Sequence, residues 1–158
     1  MNKISHLAWL LACLSIVLIA AVACVPPRTS APATATPANA ITNIVWQWTS
    51  VTNQTTRVTA TVPKPQDYTI TFRDDGTLSG KADCNTFTGT YSQANGFSIK
   101  LGASTMAACG AGSLDQQYLQ LLGAVAAGGP DGTGGLALET PGGEQRMLFA
   151  NGGAAPAQ

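Results

Sequence analysis

The sequence is almost without histidine. Its one copy, His6, lies in an N-terminal stretch expected to be removed, which leaves the rest of the chain no imidazole for general-base or metal-binding duty. Charge is scarce too: Lys and Arg number 8, Asp and Glu number 8, and together they make up 10% of the residues. A polyanion-binding surface needs a clear basic excess, so this balance excludes nucleic acid as a partner. Aromatic residues are few, at 6%, while glycines number 17 and prolines 9. That composition describes a turn-rich domain with a modest core, and the length suits one domain rather than two. These shortages also bear on catalysis. A serine or cysteine nucleophile would have to take its base from Lys64, Lys81 or Lys100. Asp74, Asp75 and Asp83 do not follow the alternating acidic calcium loop with its closing glutamate. Paired-carboxylate hydrolysis would need Asp83, Asp115, Glu139 and Glu144 to meet in space, and nothing in their spacing brings them together. The sequence therefore predicts no catalytic residue, no metal site, no cofactor and no enzyme activity.

What is present begins with a leader. A short polar start, Met1 to His6, precedes an apolar run from Leu7 to Ala23 that meets Cys24 behind the small residues Ala21, Val22 and Ala23. This resembles the lipobox of bacterial lipoproteins, in which the cysteine is lipidated and becomes the new N-terminus, although lipoboxes favour Leu where this chain has Ala21. The reading is a signal peptide over 1–23 with lipid attachment at Cys24. An uncleaved anchor helix and an ordinary signal peptide cut after Ala23 are the other readings, the first because the run approaches the ~20 residues that span a bilayer. Residues 24–40 are Pro, Thr and Ala with almost no large apolar side chain, so they cannot offset the entropy of folding and are expected to form a disordered, extended tether.

From residue 41 to 150 the composition turns to alternating β-formers broken by Gly, Asn and Asp, the pattern of an antiparallel meander. Ile44, Trp46 and Trp48 share one face of the first strand. The Thr-rich stretch from Val51 to Val62 follows, and Pro63-Lys64-Pro65 blocks any continued ladder. Asp74-Asp75-Gly76-Thr77 predicts a hairpin turn between Tyr68-Ile70-Phe72 and Leu78 to Ala82. A second hairpin joins Phe87 to Tyr91 with Phe97 to Leu101, and a last one joins Leu136 to Glu139 with Arg146 to Phe149 through Pro141-Gly142-Gly143. One helix is predicted over about 113–126, opened by a capping box of Ser113 and Gln116 and stopped by Gly128-Gly129-Pro130. Its apolar stripe is Leu114, Tyr118, Leu121, Leu122 and Val125. Residues 151–158 are expected to be a disordered tail. Trp46 is assigned to the core, and Trp48 is left between core and a ligand cavity.

Taken together, Trp46, the run Tyr68 to Phe72, Asp75-Gly76, Gly80, Cys84, Asn85, Phe87, Gly89, Tyr91 and the segment Thr105 to Cys109 resemble the META domain, also known as the HslJ-like domain. The likeness covers nearly all of the expected folded part. Asp83 stands where that family commonly has glycine before the cysteine. The resemblance implies a mainly β (α+β) fold, an antiparallel meander forming a small, partly open barrel with one packed helix. It implies no assigned enzyme chemistry and a general link to envelope stress, heat induction and antibiotic tolerance.

Cys84 and Cys109 form an isolated pair in a chain expected to be exported, where an oxidising compartment favours a disulfide, and they occupy the family's two cysteine positions. A redox pair, which ordinarily shows close C-x-x-C spacing, and two free buried thiols are the alternatives. Asn85 and Thr105 read as turn-capping residues. The expected function is that of a non-enzymatic envelope lipoprotein, held to the membrane by its N-terminal lipid and binding an envelope protein or a small amphiphilic ligand. A lipid carrier with a hollow barrel is the runner-up. Binding residues are expected at the corner from Asp83 to Asn85 and along the segment from Ser104 to Ser113, because loops on small β scaffolds carry such roles.

Overall fold

The computed structural model describes residues 41–157. The expected leader, Cys24 and the tether lie outside the described residues. The strands are β1 (Ile44–Asn53), β2 (Thr59–Thr61), β3 (Tyr68–Phe72), β4 (Thr77–Ala82), β5 (Asn85–Ser92), β6 (Ser98–Ser104), β7 (Ala127–Pro130), β8 (Leu136–Glu139) and β9 (Gln145–Ala154); the helix α1 spans Asp115–Gly123. All pair antiparallel in one sheet of order β6-β5-β4-β3-β1-β9-β8-β7, with β2 beside the far half of β1. The sheet curls into a half-barrel with α1 packed on it, the expected mainly β architecture. Phe97, just ahead of β6, donates its N–H to the Ala126 carbonyl ahead of β7 at 3.3 Å, so the two edges touch at one point.

The side chains on the inner face explain the curl. Trp48, Ile70, Phe72, Leu136, Leu138 and Met147 are fully buried, and α1 adds Tyr118 and Leu122 from above. Tyr118 stacks on Trp48 with ring centroids 5.1 Å apart and meets Tyr68 edge-on at 5.8 Å. Trp46 and Trp48 are therefore both core, and their indole N–H groups donate to the Ile41 and Ser50 carbonyls. A hollow barrel would need this space empty. The Tyr118 hydroxyl is fully buried with no hydrogen-bond partner among the described residues, and burial pushes its pKa well above the usual value. Leaving a buried hydroxyl unpaired costs about 1 kcal/mol or more. Tyr118→Phe is accordingly expected to stabilise the domain by about that amount in urea denaturation; a clear loss of stability would mean that the hydroxyl is satisfied after all.

Glycine at two motif positions follows from close packing. A Cβ on Gly80 would run into the Thr69 carbonyl and the Phe87 ring, and one on Gly89 into the Lys100 carbonyl. Tyr91 packs on Phe72 at 4.8 Å and donates its hydroxyl to the Arg73 carbonyl at 2.8 Å, tying β5 to the first hairpin turn.

Three expectations at the boundaries need correction. The helix starts at Asp115 rather than Ser113, with Leu114 as N-cap and no capping box: Ser113 instead exchanges hydrogen bonds with Asp115. It ends at Gly123 rather than near residue 126, and Gly128-Gly129-Pro130, expected to stop it, belongs instead to edge strand β7 and pairs with β8. Proline is tolerated there, since an edge residue can turn its missing N–H away from the ladder. The tail from Asn151 is likewise strand as far as Ala154, where β9 continues along β1 with Trp46 opposite Asn151 and Ile44 opposite Ala154. Backbone pairing asks nothing of side chains, so small polar residues serve.

Candidate functional site

The two segments singled out in the sequence, Asp83 to Asn85 and Ser104 to Ser113, come together at one corner of the sheet. Strand β4 ends at Ala82 and β5 begins at Asn85, and the two-residue turn between them places Asp83 at φ +58°. That left-handed conformation is one that glycine takes freely and Asp tolerates better than most residues. The Asp83 N–H donates to the Asp67 carbonyl at 2.7 Å and closes the turn against the loop before β3.

Asn85 is the centre of the corner. Its side chain is buried, with 3% of the residue exposed, and it behaves as a peptide group turned sideways. Oδ1 accepts the Ala107 N–H at 2.8 Å and the Thr105 hydroxyl at 3.1 Å, and Nδ2 donates to the Ala107 carbonyl at 3.0 Å. Nδ2 also reaches the Asp115 carboxylate at 3.4 Å, linking the corner to the start of α1. Thr105 and Thr86 add a reciprocal pair: the Thr105 N–H donates to the Thr86 carbonyl, and the Thr86 N–H donates to the Thr105 hydroxyl. The irregular chain after β6 is thus latched strand-fashion onto β5.

A covalent tie reinforces this latch. Cys84 and Cys109 are joined in a disulfide with Cα atoms 5.6 Å apart, within the range such a bridge spans. The free-thiol alternative gives way to this bridge. Farther along, the Leu114 N–H donates to the Tyr68 hydroxyl at 2.8 Å, and Lys81 pairs with Asp67 at 2.6 Å. The Lys81 hydrogen bond holds the Asp67 carboxyl below its usual pKa. Tyr68, Lys81 and Asp67 were not foreseen as part of the corner; the residue opposite Tyr68 in the register, Ala82, is the signal that adjoins them to it.

The result is a segment without regular secondary structure, from Thr105 to Leu114, held at both ends and along its length. Met106 projects from it with 95% of its surface exposed. An open cleft of about 480 Å³ runs beside it, bordered by Asn85, Thr105, Asp115 and Leu119. A second, of about 350 Å³, lies between Lys64, Asp83 and the glycine-rich stretch from Gly110. The carboxylates considered for paired chemistry occupy separate elements: Asp115 is engaged by Ser113 at the helix start, and Glu139 on β8 pairs with Arg146 at 2.9 Å. Among the described residues no three His, Cys, Asp or Glu side chains cluster in a way that could hold a metal ion.

A half-barrel of one antiparallel sheet, one packed helix and a disulfide-tied corner at Cys84 and Asn85 defines a class of small β domain. The META domain family model matches residues 39–152. The chain belongs to that family. Among solved structures it resembles a protein from Burkholderia xenovorans determined by NMR, at 20% identity and TM-score 0.56, covering 70% of this chain and 83% of that one. It also resembles the crystal structure of a DUF4847 family protein from Bacteroides vulgatus, at 18% identity and TM-score 0.55, covering 70% of this chain and 94% of the other. At these identities the likeness speaks for the fold alone. No curated protein matches the chain.

Proposed function

We propose that the chain is an extracytoplasmic lipoprotein, anchored through Cys24, whose META domain is a non-catalytic binding module that docks an envelope protein at the Cys84–Cys109 corner and so supports envelope integrity under stress. The observation that carries this reading is the latched segment around Met106. An apolar side chain 95% exposed on a rigid, irregular segment is the arrangement of a docking anchor, since little ordering entropy remains to be lost on contact. Methionine suits such a surface because its thioether adapts to varied partners.

One experiment in the host tests both halves of the reading. A photo-cross-linking residue is placed at position 106, with position 58 as control because Val58 is the other exposed large apolar residue among the described residues, at 64%. The same chains are examined with Cys24→Ala. The expected result is adduct formation from position 106 alone, with the parent chain in the membrane fraction and the Cys24→Ala chain released from it. A Cys24→Ala chain that remains in membranes rejects the lipid anchor. Equal adducts from both positions, or none, reject the corner as the docking site.

A further inference from the structure

The face of the sheet opposite the core carries the largest of the clefts described, an open trough of about 580 Å³ that reaches the corner at Ser104 and Thr105. That volume lies in the range of small-molecule sites, roughly 300–1,000 Å³. Its lining comes from the outward-pointing residues of β1 and β3 to β6. Strand alternation sends Ile70, Leu78 and Phe87 inward and leaves Thr69, Thr71, Ser79, Thr86 and Thr88 on the opposite face, where neighbouring side chains cover most of Thr71. Register aligns them in cross-strand rows: Thr71 is opposite Ser79, and Ser79 is opposite Thr88. Val45 and Ala103 close the two ends.

The chemistry of this lining is narrow. No carboxylate, ammonium or guanidinium group borders the trough, and Lys81, which shares the face, is engaged by Asp67. Thr88 donates to the Ala103 carbonyl at 3.5 Å and Thr105 is engaged by Asn85, whereas the hydroxyls of Thr69, Thr71, Ser79 and Thr86 take no protein partner among the described residues. A charged ligand would lose hydration here without meeting a counter-charge. A purely apolar ligand would cover hydroxyls without pairing them. A neutral polyhydroxylated chain meets both demands, because its hydroxyls can donate to and accept from the threonine hydroxyls while its C–H faces rest on threonine methyls, Val45 and Ala103. Four strand spacings of about 4.8 Å give the trough a length of about 19 Å across the strands, enough for several sugar rings in a row.

We infer that this trough is a binding site for an uncharged glycan chain lying across β3, β4 and β5. It adjoins the corner at Ser104 and Thr105 but lies on the strands, and Met106 does not line it. The test uses the full chain in detergent, labelled for NMR, titrated with two neutral oligomers: N-acetylglucosamine hexamer, which represents an acetamido-sugar glycan, and glucose hexamer in β-1,4 linkage. The trough variant is Thr71→Val with Ser79→Ala, which removes two hydroxyls at almost constant shape, and its fold is checked by circular dichroism. Binding of either oligomer should shift resonances of the outward residues of β3 to β5, and the variant should bind about tenfold more weakly or worse, since two hydrogen-bonding groups are lost. No binding of either oligomer at millimolar concentration overturns the inference, as does binding that maps elsewhere or is unchanged in the variant.

Discussion

Replacing both Cys84 and Cys109 with serine is expected to lower the unfolding free energy by about 3.5 kcal/mol, the chain-entropy value for a bridge of sequence separation 25. Cys84 is exposed, so the substitution leaves no buried hydroxyl there and the loss reports the cross-link itself. Urea denaturation of oxidised, reduced and doubly substituted chains measures it. Reduction should match the double serine variant within error. The unfolded but unreduced chain should yield no thiol from either position; two titratable thiols would reject the bridge. Most of the loss falls on the denatured state, whose freedom the bridge restricts, so the substituted domain should keep the same fold at room temperature.

Asn85→Ala is expected to cost about 2 kcal/mol, because the buried amide satisfies both the N–H and the carbonyl of Ala107 and lost partners cost roughly 1–3 kcal/mol per buried group. The lower part of that range applies because Ala107 is exposed and water can replace part of what is lost. Asn85→Asp makes the prediction sharper. It preserves volume but has no donor for the Ala107 carbonyl at neutral pH, and it sets a second carboxylate near Asp115. Its stability should therefore recover in part as the pH falls and the new carboxyl gains a proton that it can donate. Hydrogen exchange should show the loss first in residues 105–114. Equal stability of the wild-type and Asn85→Ala chains would mean that the disulfide alone fixes the segment.

Much of this fold is legible in the residues because local rules and tertiary demands agree. Asp75-Gly76 sets the first hairpin, with the Asp75 carboxylate accepting from the Thr77 N–H and hydroxyl as a turn of this kind requires. Tyr68, Ile70 and Phe72 alternate into the core without interruption. Strand β1 shows where pattern reading stops. Its alternation predicts that position 50 follows Trp46 and Trp48 inward, but a register shift between Trp48 and Ser50 rephases the strand and buries Val51 instead. Nothing in the local sequence announces that bulge. Gly128-Gly129-Pro130 misleads for a related reason: glycine and proline are read as punctuation, yet the edge strand lies so close over Phe97 and Leu138 that position 128 has no room for a side chain. At the corner, Asn85 and Thr105 are recognisable as residues that bond to backbone, whereas the choice of Ala107 as partner is fixed only by the path of the chain 22 residues later.

The pairing of β1 with β9 has a consequence for how the domain is made. Thr49 and Leu148, 99 residues apart, share a hydrogen bond, and the first strand is matched by the last along nearly its whole length. Contacts so distant in sequence form slowly, because a long loop must close before any of them is gained. A chain that emerges from its N-terminus therefore presents β1, with both tryptophans, long before its central partner exists, and the exposed strand is open to pairing with other chains in the interval. Completion of the half-barrel waits for β9, which makes the arrival of that strand, rather than of any inner hairpin, the event that commits the domain to the native fold.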